Sequence, residues 1–330
     1  MLESIYRYFQ RSESKDATSV LECRNPPNIT NAWMFHLKSI WLFTFSDLKT
    51  IVVPETAFGI ITAISAPAFG IPVSVAPSYS SILRRTPIVI FWVWVNLLPM
   101  TIDNQRRPSS ILEDGLNKPW RPIPSNRLTP RQAKSLMLAL YPIAVLTSLV
   151  IGGFRPCLSL IFLGCWYNDF GGSDVSWISR NFLNACGFVC YAAGATEVTL
   201  GSHFEISQYG YLLQWFLIIW AVIFTTVQTQ DMGDQAGDVL RGRKTLPLVF
   251  GDSRSRIITC FPIAFWSYGC PWYWQSPVLA YLPCLTLGVI IMLRTSTRRS
   301  VEDDNATWKL WNFWLVILYN LPLMKYMSME

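Results

Sequence analysis

Long apolar stretches separated by short polar segments form the main pattern of this chain of 330 residues. A helix that crosses a membrane needs about 20 mainly apolar residues, and nine stretches reach or approach that length. They run over 50–71, 86–103, 135–153, 156–172, 181–200, 209–229, 257–273, 276–293 and 308–324. The pattern therefore predicts an all-α fold: an integral membrane bundle of about nine transmembrane helices.

Two segments precede the first stretch. Residues 33–46 intersperse Trp, Phe, Leu and Ile with polar residues, which is typical of a helix lying along the membrane surface. Residues 1–32 hold scattered basic residues and no continuous apolar core, so they predict a solvated cytosolic leader rather than a cleaved signal peptide. Residues 33–330 are predicted to form a single transmembrane domain.

The composition agrees with a membrane protein. Charged residues make up only 15% of the chain, against about 25% in an ordinary soluble domain, and 51% of the residues are hydrophobic. These figures exclude a disordered chain and a small disulfide scaffold. The net charge of +6 does not indicate nucleic-acid binding, because the basic residues lie between apolar segments and not on one soluble face.

Basic residues are divided unevenly between the two sides of such a bundle. If nine helices cross, 23 of the 27 Lys and Arg residues fall on the side that holds the N-terminus and the even-numbered loops. Loops rich in Lys and Arg stay in the cytosol, so that side is predicted to be cytosolic. The endoplasmic reticulum is the predicted membrane, because the sequence contains no recognisable signal for another membrane.

Two loops on that side, at about 103–131 and 230–256, carry clusters of acidic residues. In a helix, Asp231, Asp234 and Asp238 stand at positions i, i+3 and i+7 and share one face. The first loop offers four further oxygen ligands, Asp103, Asn104, Glu113 and Asp114. Four predicted spans separate the loops, so both reach the same side of the membrane and permit one shared site.

Oxygen ligands without His or Cys suit Mg²⁺, which commonly bridges carboxylates to substrate phosphates. Basic side chains beside the acids are candidates to bind those phosphates directly; they are Lys118, Arg121, Arg241 and Lys244. For either loop alone, solvated surface ion pairs are the competing interpretation. Two such clusters on one face of a charge-poor chain favour a diphosphate site. Asn168 and Asp169, on the same face, are either a third part of it or a helix cap.

The segment Asn117-Lys-Pro-Trp-Arg-Pro-Ile-Pro-Ser-Asn126 and the second acidic cluster with the following Arg243-Lys-Thr-Leu-Pro247 resemble the UbiA superfamily of membrane prenyltransferases. The similarity in hydropathy extends over about 35–325. It implies nine transmembrane helices in the lipid bilayer and two Asp-rich motifs that bind a prenyl diphosphate through Mg²⁺. The catalytic residues that it implies are Asp231, Asp234, Asp238, Asp114 and Asn104.

The first motif departs from the family pattern Asn-x-x-x-Asp-x-x-x-Asp. Asn104 precedes Asp114 by ten residues rather than eight, and Pro108 and Ser109 stand where a middle Asp is expected. The metal ligands in this loop are then drawn from Asp103, Asn104, Glu113 and Asp114. This variant resembles a fungal branch of the superfamily with membrane-bound terpene cyclases, which implies conversion of farnesyl diphosphate to a sesquiterpene such as β-trans-bergamotene plus diphosphate.

Three function classes remain at this stage. A cyclase closes the allylic cation on its own double bonds, whereas a prenyltransferase passes it to an aromatic or isoprenoid acceptor. A channel or transporter would place its acidic residues at mid-membrane, whereas here they lie in loops. Aromatic faces can stabilise such a cation, although Trp and Tyr are also enriched in membrane belts. The candidate aromatics are Trp92, Trp94, Trp166, Tyr167, Tyr191, Trp215 and Trp220.

Overall fold

The computed structural model describes residues 29–201, 204 and 206–328, and helices are the only regular secondary structure within these ranges. The helices are α1 Ile29–Thr44, α2 Val53–Ile64, α3 Tyr79–Gln105, α4 Pro108–Asn117, α5 Pro130–Ile151, α6 Phe154–Asn168, α7 Gly172–Val175, α8 Trp177–Leu200, α9 Gly210–Thr226, α10 Asp231–Arg241, α11 Leu246–Phe250, α12 Asp252–Tyr273, α13 Val278–Thr297, α14 Val301–Tyr319 and α15 Leu321–Met327. A π-helical turn, Leu48–Val52, leads into α2, and 3₁₀ turns occupy Ala66–Phe69, Ile206–Gln208 and Val227–Thr229.

The all-α prediction is confirmed, and each of the nine predicted apolar stretches coincides with a helix. Four helical segments are long and apolar enough to cross a membrane by length and composition. They are Tyr79–Gln105, Pro130–Ile151, Gly210–Thr229 and Val278–Thr297. The chain therefore has the helices of a membrane protein, while the count of nine spans stays a prediction.

Small residues allow the helices to pack closely around α8. A Cβ atom on Gly59 of α2 would lie only 2.6 Å from the backbone of Ala195 on α8. On the same helix, a Cβ on Gly194 would lie 1.8 Å from the ring of Trp92, which is fully buried. Close backbone approach at Gly and Ala is a common way in which membrane helices associate. These contacts fix the neighbouring helices in register along α8.

Helix α1 covers much of the predicted surface segment 33–46. Several large apolar side chains of this segment are exposed: Trp33, Met34, Leu37, Trp41 and Phe45. Phe43, on the inner side, is fully buried. This arrangement suits a helix that lies in the membrane interface. Residues 1–28 of the predicted leader lie outside the described residues.

Two short helices, α4 and α10, bring the two acidic motifs together. They pack so closely that a Cβ on Gly237 of α10 would lie 2.2 Å from Asn117 Nδ2 and 3.0 Å from Glu113 Cγ on α4. Glycine at 237 therefore sets the distance between the motifs. Gly242, which has a φ of +78°, ends α10 in the left-handed region that glycine adopts without strain.

Candidate active site

A cavity of about 220 Å³ lies between the ends of the long helices and the two motif helices. Its polar lining includes Asp47, Lys49, Asn104, Glu113, Lys118, Arg121, Tyr167, Asn168, Arg180, Gln230, Asp234, Arg243 and Asn305. Its apolar lining includes Ile51, Leu97, Met100, Leu163, Leu183, Phe188, Tyr191 and Trp308. Arg180 and Tyr191 stand eleven positions apart on α8, about 16 Å along the helix axis. The cavity thus has a charged end near Arg180, here named the mouth, and a largely apolar end near Tyr191, here named the floor.

The three carboxylates of the second motif have different environments. Arg180 donates to Asp231 Oδ1 from Nε and Nη2, at 3.1 and 2.9 Å, and both side chains are buried. Asp234 lines the cavity, where Lys118 Nζ lies 3.7 Å from its Oδ2. Asp238 is fully buried and accepts from Arg243 at 3.0 Å. Of the three, only Asp234 faces the cavity.

Two of the four predicted metal ligands of the first motif, Asn104 and Glu113, line the cavity. Glu113 accepts from Arg243 Nη1 at 2.7 Å and from Arg241 Nη1 at 3.1 Å. Asn104 Oδ1 accepts from the same Nη1 of Arg241 at 3.2 Å. The two motifs, about 130 residues apart in sequence, are therefore joined by hydrogen bonds, as the shared-site hypothesis requires.

The other two acids of the first motif lie behind the cavity lining. Asp114 is buried and pairs with Arg121 at 2.6 Å. Asp103 is buried and pairs with Arg106 at 2.6 Å. Arg106 and Arg107 also contact Asp169, while its neighbour Asn168 lines the cavity. Asn168 therefore belongs to the site, and Asp169 is part of an ion-pair network beside it.

The predicted metal ligands are dispersed, but several keep a free oxygen. Within the described ranges, no group of three or more His, Cys, Asp or Glu side chains is arranged to hold one metal ion. However, four motif carboxylates keep a buried oxygen without a hydrogen-bond partner: Oδ2 of Asp103, Asp114, Asp231 and Asp238. Buried polar atoms normally have partners. Unpartnered carboxylate oxygens suit a hard cation such as Mg²⁺, so the donor set fits the predicted metal.

Burial and neighbouring charges change the acidity of these groups. Burial raises the pKa of Asp238 to about 6, although the Arg180 and Arg243 guanidiniums counteract it. Burial alone would also raise the pKa of Glu113, but the charges of Arg243 and Arg241 outweigh that effect and hold this pKa below its usual value. Glu113 is therefore ionised at neutral pH and accepts hydrogen bonds from both arginines.

The predicted phosphate contacts fall into two groups. Lys118 and Arg121 line the cavity. Arg241 is buried against Glu113, outside the lining, and Lys244 is exposed and also outside it. Sequence reasoning missed Arg180, Arg243 and Lys49, which do line the cavity. Arg180 is the single Lys or Arg residue between Arg155 and Arg241 and falls on the side predicted to hold both acidic motifs, which was a usable signal for it.

The aromatic candidates divide in a similar way. Tyr167 and Tyr191 line the cavity, and the Tyr167 hydroxyl accepts from Arg180 Nη1 at 2.7 Å. The other five predicted aromatics are absent from its lining: Trp92, Trp94, Trp166, Trp215 and Trp220. Phe188 and Trp308 line it instead. Trp308 stacks on Trp311 with ring centroids 4.5 Å apart. Which side of a helix faces the cavity depends on packing that the sequence does not reveal.

Comparisons with known proteins agree with one another in pointing to one family. A model of the UbiA prenyltransferase family matches residues 101–316. The fumagillin β-trans-bergamotene synthase of Aspergillus fumigatus is 27% identical over 287 residues, covering 87% of this chain and 92% of the relative. The somaliensene A/B synthase of Streptomyces somaliensis is 26% identical over 286 residues, covering 84% and 89%.

A solved structure shares the fold. The UbiA homologue from Archaeoglobus fulgidus bound to GPP and Mg²⁺ superimposes with a TM-score of 0.56 at 12% identity. The match covers 84% of this chain and 99% of that chain.

Proposed function

The chain belongs to the UbiA prenyltransferase family, and we propose that it is a membrane-bound terpene cyclase. The substrate that we propose is farnesyl diphosphate, and the products are a sesquiterpene, such as β-trans-bergamotene, and diphosphate. The observation that carries this proposal is the cavity with a mouth of basic and acidic side chains and a floor of apolar and aromatic ones. Such a cavity matches a substrate with a charged head and a hydrocarbon tail.

The comparisons support this choice within the family. Two relatives named as terpene synthases each match more than four fifths of this chain. The Archaeoglobus fulgidus homologue, whose fold this chain shares, was solved with a prenyl diphosphate and Mg²⁺. We therefore extend a prenyl diphosphate substrate and Mg²⁺ to this protein.

The mouth residues would hold the diphosphate. Lys118 and Arg121 reach it from the loop after α4, Arg180 from α8 and Arg243 from the turn after α10. Asp234 and Glu113, the motif acids that line the cavity, would hold Mg²⁺, and the unpartnered oxygens of the buried motif acids are further donors. When bound, Mg²⁺ would offset negative charge on the leaving group. The allylic C–O bond then breaks, and its electron pair leaves with the diphosphate. Positive groups fixed around the leaving group stabilise this charge as it develops.

The floor of the cavity would control the resulting cation. Phe188, Tyr191 and Trp308 present aromatic surfaces there, each of which contributes about 0.5–2 kcal/mol when it faces a cation. Apolar neighbours such as Leu183 and Leu97 keep water away. A double bond of the same chain attacks the cation and closes a ring, and loss of a proton to the released diphosphate ends the reaction.

A prenyltransferase is the second candidate, because the family model carries that name. It would use the same ionisation step but pass the prenyl group to an aromatic or isoprenoid acceptor. The two functions differ in whether the prenyl diphosphate is consumed when it is the sole organic substrate.

Release of diphosphate tests the proposed chemistry. We expect purified protein with farnesyl diphosphate and Mg²⁺ to release diphosphate continuously without any acceptor. EDTA should stop this release, because carboxylates alone cannot neutralise the leaving group, and added Mg²⁺ should restore it. The measurement is a coupled assay for diphosphate. Release that continues in EDTA, or that recovers with Zn²⁺ but not Mg²⁺, would contradict the oxygen-ligand metal site.

We further propose nine transmembrane helices in the endoplasmic reticulum membrane, with the cavity mouth facing the cytosol. Two valines offer a matched test, since both are exposed: Val239 on α10 at 62% and Val73 before α3 at 76%. A membrane-impermeant thiol reagent should label Val239→Cys in intact microsomes and Val73→Cys only after the membrane is opened. The unsubstituted protein measures the background from native cysteines. The reverse pattern would invert the proposed orientation.

A further inference from the structure

Asp174 lies outside both acidic motifs, on the short helix α7 between α6 and α8. Its Oδ1 lies 3.2 Å from Arg241 Nε and 3.1 Å from Arg243 Nε. The Ser173 hydroxyl donates to the same oxygen at 2.9 Å. One carboxylate oxygen from a third loop therefore accepts a hydrogen bond from Arg243 Nε and lies within ion-pair distance of Arg241 Nε.

The two guanidiniums are bound on their other side by motif acids. Glu113 accepts from the Nη1 atoms of both arginines, and Asp238 accepts from Nη1 of Arg243. Glu113 and Asp238, which bind the Nη atoms, are predicted metal ligands. Asp174, which faces both Nε atoms, is not one of them. Asp174 is also absent from the cavity lining, and its side chain is 33% exposed.

We propose that Asp174 is a positioning residue for diphosphate binding. It fixes Arg243 through Nε and holds the neighbouring Arg241 by charge, so that Nη1 of Arg243, which lines the cavity, can exchange Glu113 and Asp238 for phosphate oxygens. Glu113 and Asp238 are thereby released toward Mg²⁺. This role rests on the proposed function, since it requires a diphosphate at the cavity mouth. It also predicts that diphosphate and Mg²⁺ bind cooperatively. Diphosphate takes over the arginine and Mg²⁺ takes over the acids of the same ion pairs, so that each ligand frees the group that the other one binds.

The variant Asp174→Asn tests this role by binding rather than turnover. Asparagine has nearly the same shape but lacks the charge that orients both guanidiniums. We expect its dissociation constant for inorganic diphosphate, measured calorimetrically with Mg²⁺ present, to rise about tenfold, in the range of a lost charged hydrogen bond. Asp303→Asn is the matched control, because Asp303 pairs with Arg294 at 3.1 Å and is 30% exposed. That control should bind like the unsubstituted protein.

A double-mutant cycle with Arg243→Lys separates positioning from a general structural effect. If Asp174 acts through the arginines, adding Asp174→Asn to Arg243→Lys should weaken binding by clearly less than it does alone. Asp174→Glu, which keeps the charge, should restore most of the affinity and serves as the second variant if Asp174→Asn does not fold. Unchanged affinity in Asp174→Asn, or fully additive losses in the cycle, would overturn the role of Asp174. Failure of the unsubstituted protein to bind diphosphate would instead overturn the proposed function.

Discussion

Asp234→Asn is expected to lower turnover of farnesyl diphosphate by about 10²- to 10³-fold, the usual cost of removing one group that stabilises charge in a transition state. Asp234 is the one acid of its motif that lines the cavity, and its closest cation, Lys118, is 3.7 Å away. Both of its oxygens are thus available to a metal ion, whereas Asp231 and Asp238 each have one oxygen bound by an arginine. The rate of diphosphate release measures the loss.

Folding of the Asp234 variant should be nearly unchanged, because a weakly paired carboxylate adds little to stability. Its melting temperature in detergent should therefore match that of Asp303→Asn, which changes an acid outside the cavity lining. Asp303→Asn should retain its activity. An Asp234 variant with the activity of the unsubstituted protein would remove Asp234 from the site.

Arg180→Gln is expected to destabilise the metal-free protein by about 3–5 kcal/mol, the cost of leaving a buried charge without its partner. Arg180 and Asp231 are each only 3% exposed, and two of the guanidinium nitrogens donate to the same carboxylate oxygen. Thermal unfolding in EDTA measures the loss. The double variant Arg180→Gln/Asp231→Asn should recover much of it, because neither charge then remains buried alone.

The pH dependence of the Arg180 variant provides a further check. Burial raises the pKa of Asp231, and Arg180 is the main group that opposes this effect. Without Arg180, the folded protein holds a proton on Asp231 at pH values where the unfolded chain has lost it. Its stability should therefore fall as the pH rises from the unfolded pKa of about 3.9 through the folded value. Stability that is independent of pH, or a double variant as unstable as the single one, would contradict a buried ion pair.

Periodicity and apolar length predicted the helices well, because both are local properties of the sequence. The spacing of Asp231, Asp234 and Asp238 correctly placed them on one helix, α10. It did not predict their separate environments, since the arginines that pair with Asp231 and Asp238 come from α8 and from the turn after α10. Pairing across elements depends on tertiary packing.

Loop residues and helix rotation account for what sequence reasoning missed. Asp174 and Arg180 stand in a segment that contains neither acidic motif, and their ion-pair partners lie more than 50 positions away. Phe188 and Trp308 resemble any lipid-facing aromatic in the sequence, and only the rotation of their helices directs them into the cavity. Lys244, by contrast, follows the motif closely but is exposed and is not part of the cavity lining.

The fate of the prenyl carbon tests the central claim most directly. Purified protein is incubated with Mg²⁺ and with farnesyl diphosphate as the sole organic substrate. A headspace extract is then analysed by gas chromatography with mass detection. Asp234→Asn is the negative control. Cyclisation predicts an apolar C15 hydrocarbon that accumulates with diphosphate and is absent from the control. Farnesol alone, or a prenylated product that forms only after an aromatic or isoprenoid acceptor is added, would contradict the cyclase and identify a prenyltransferase.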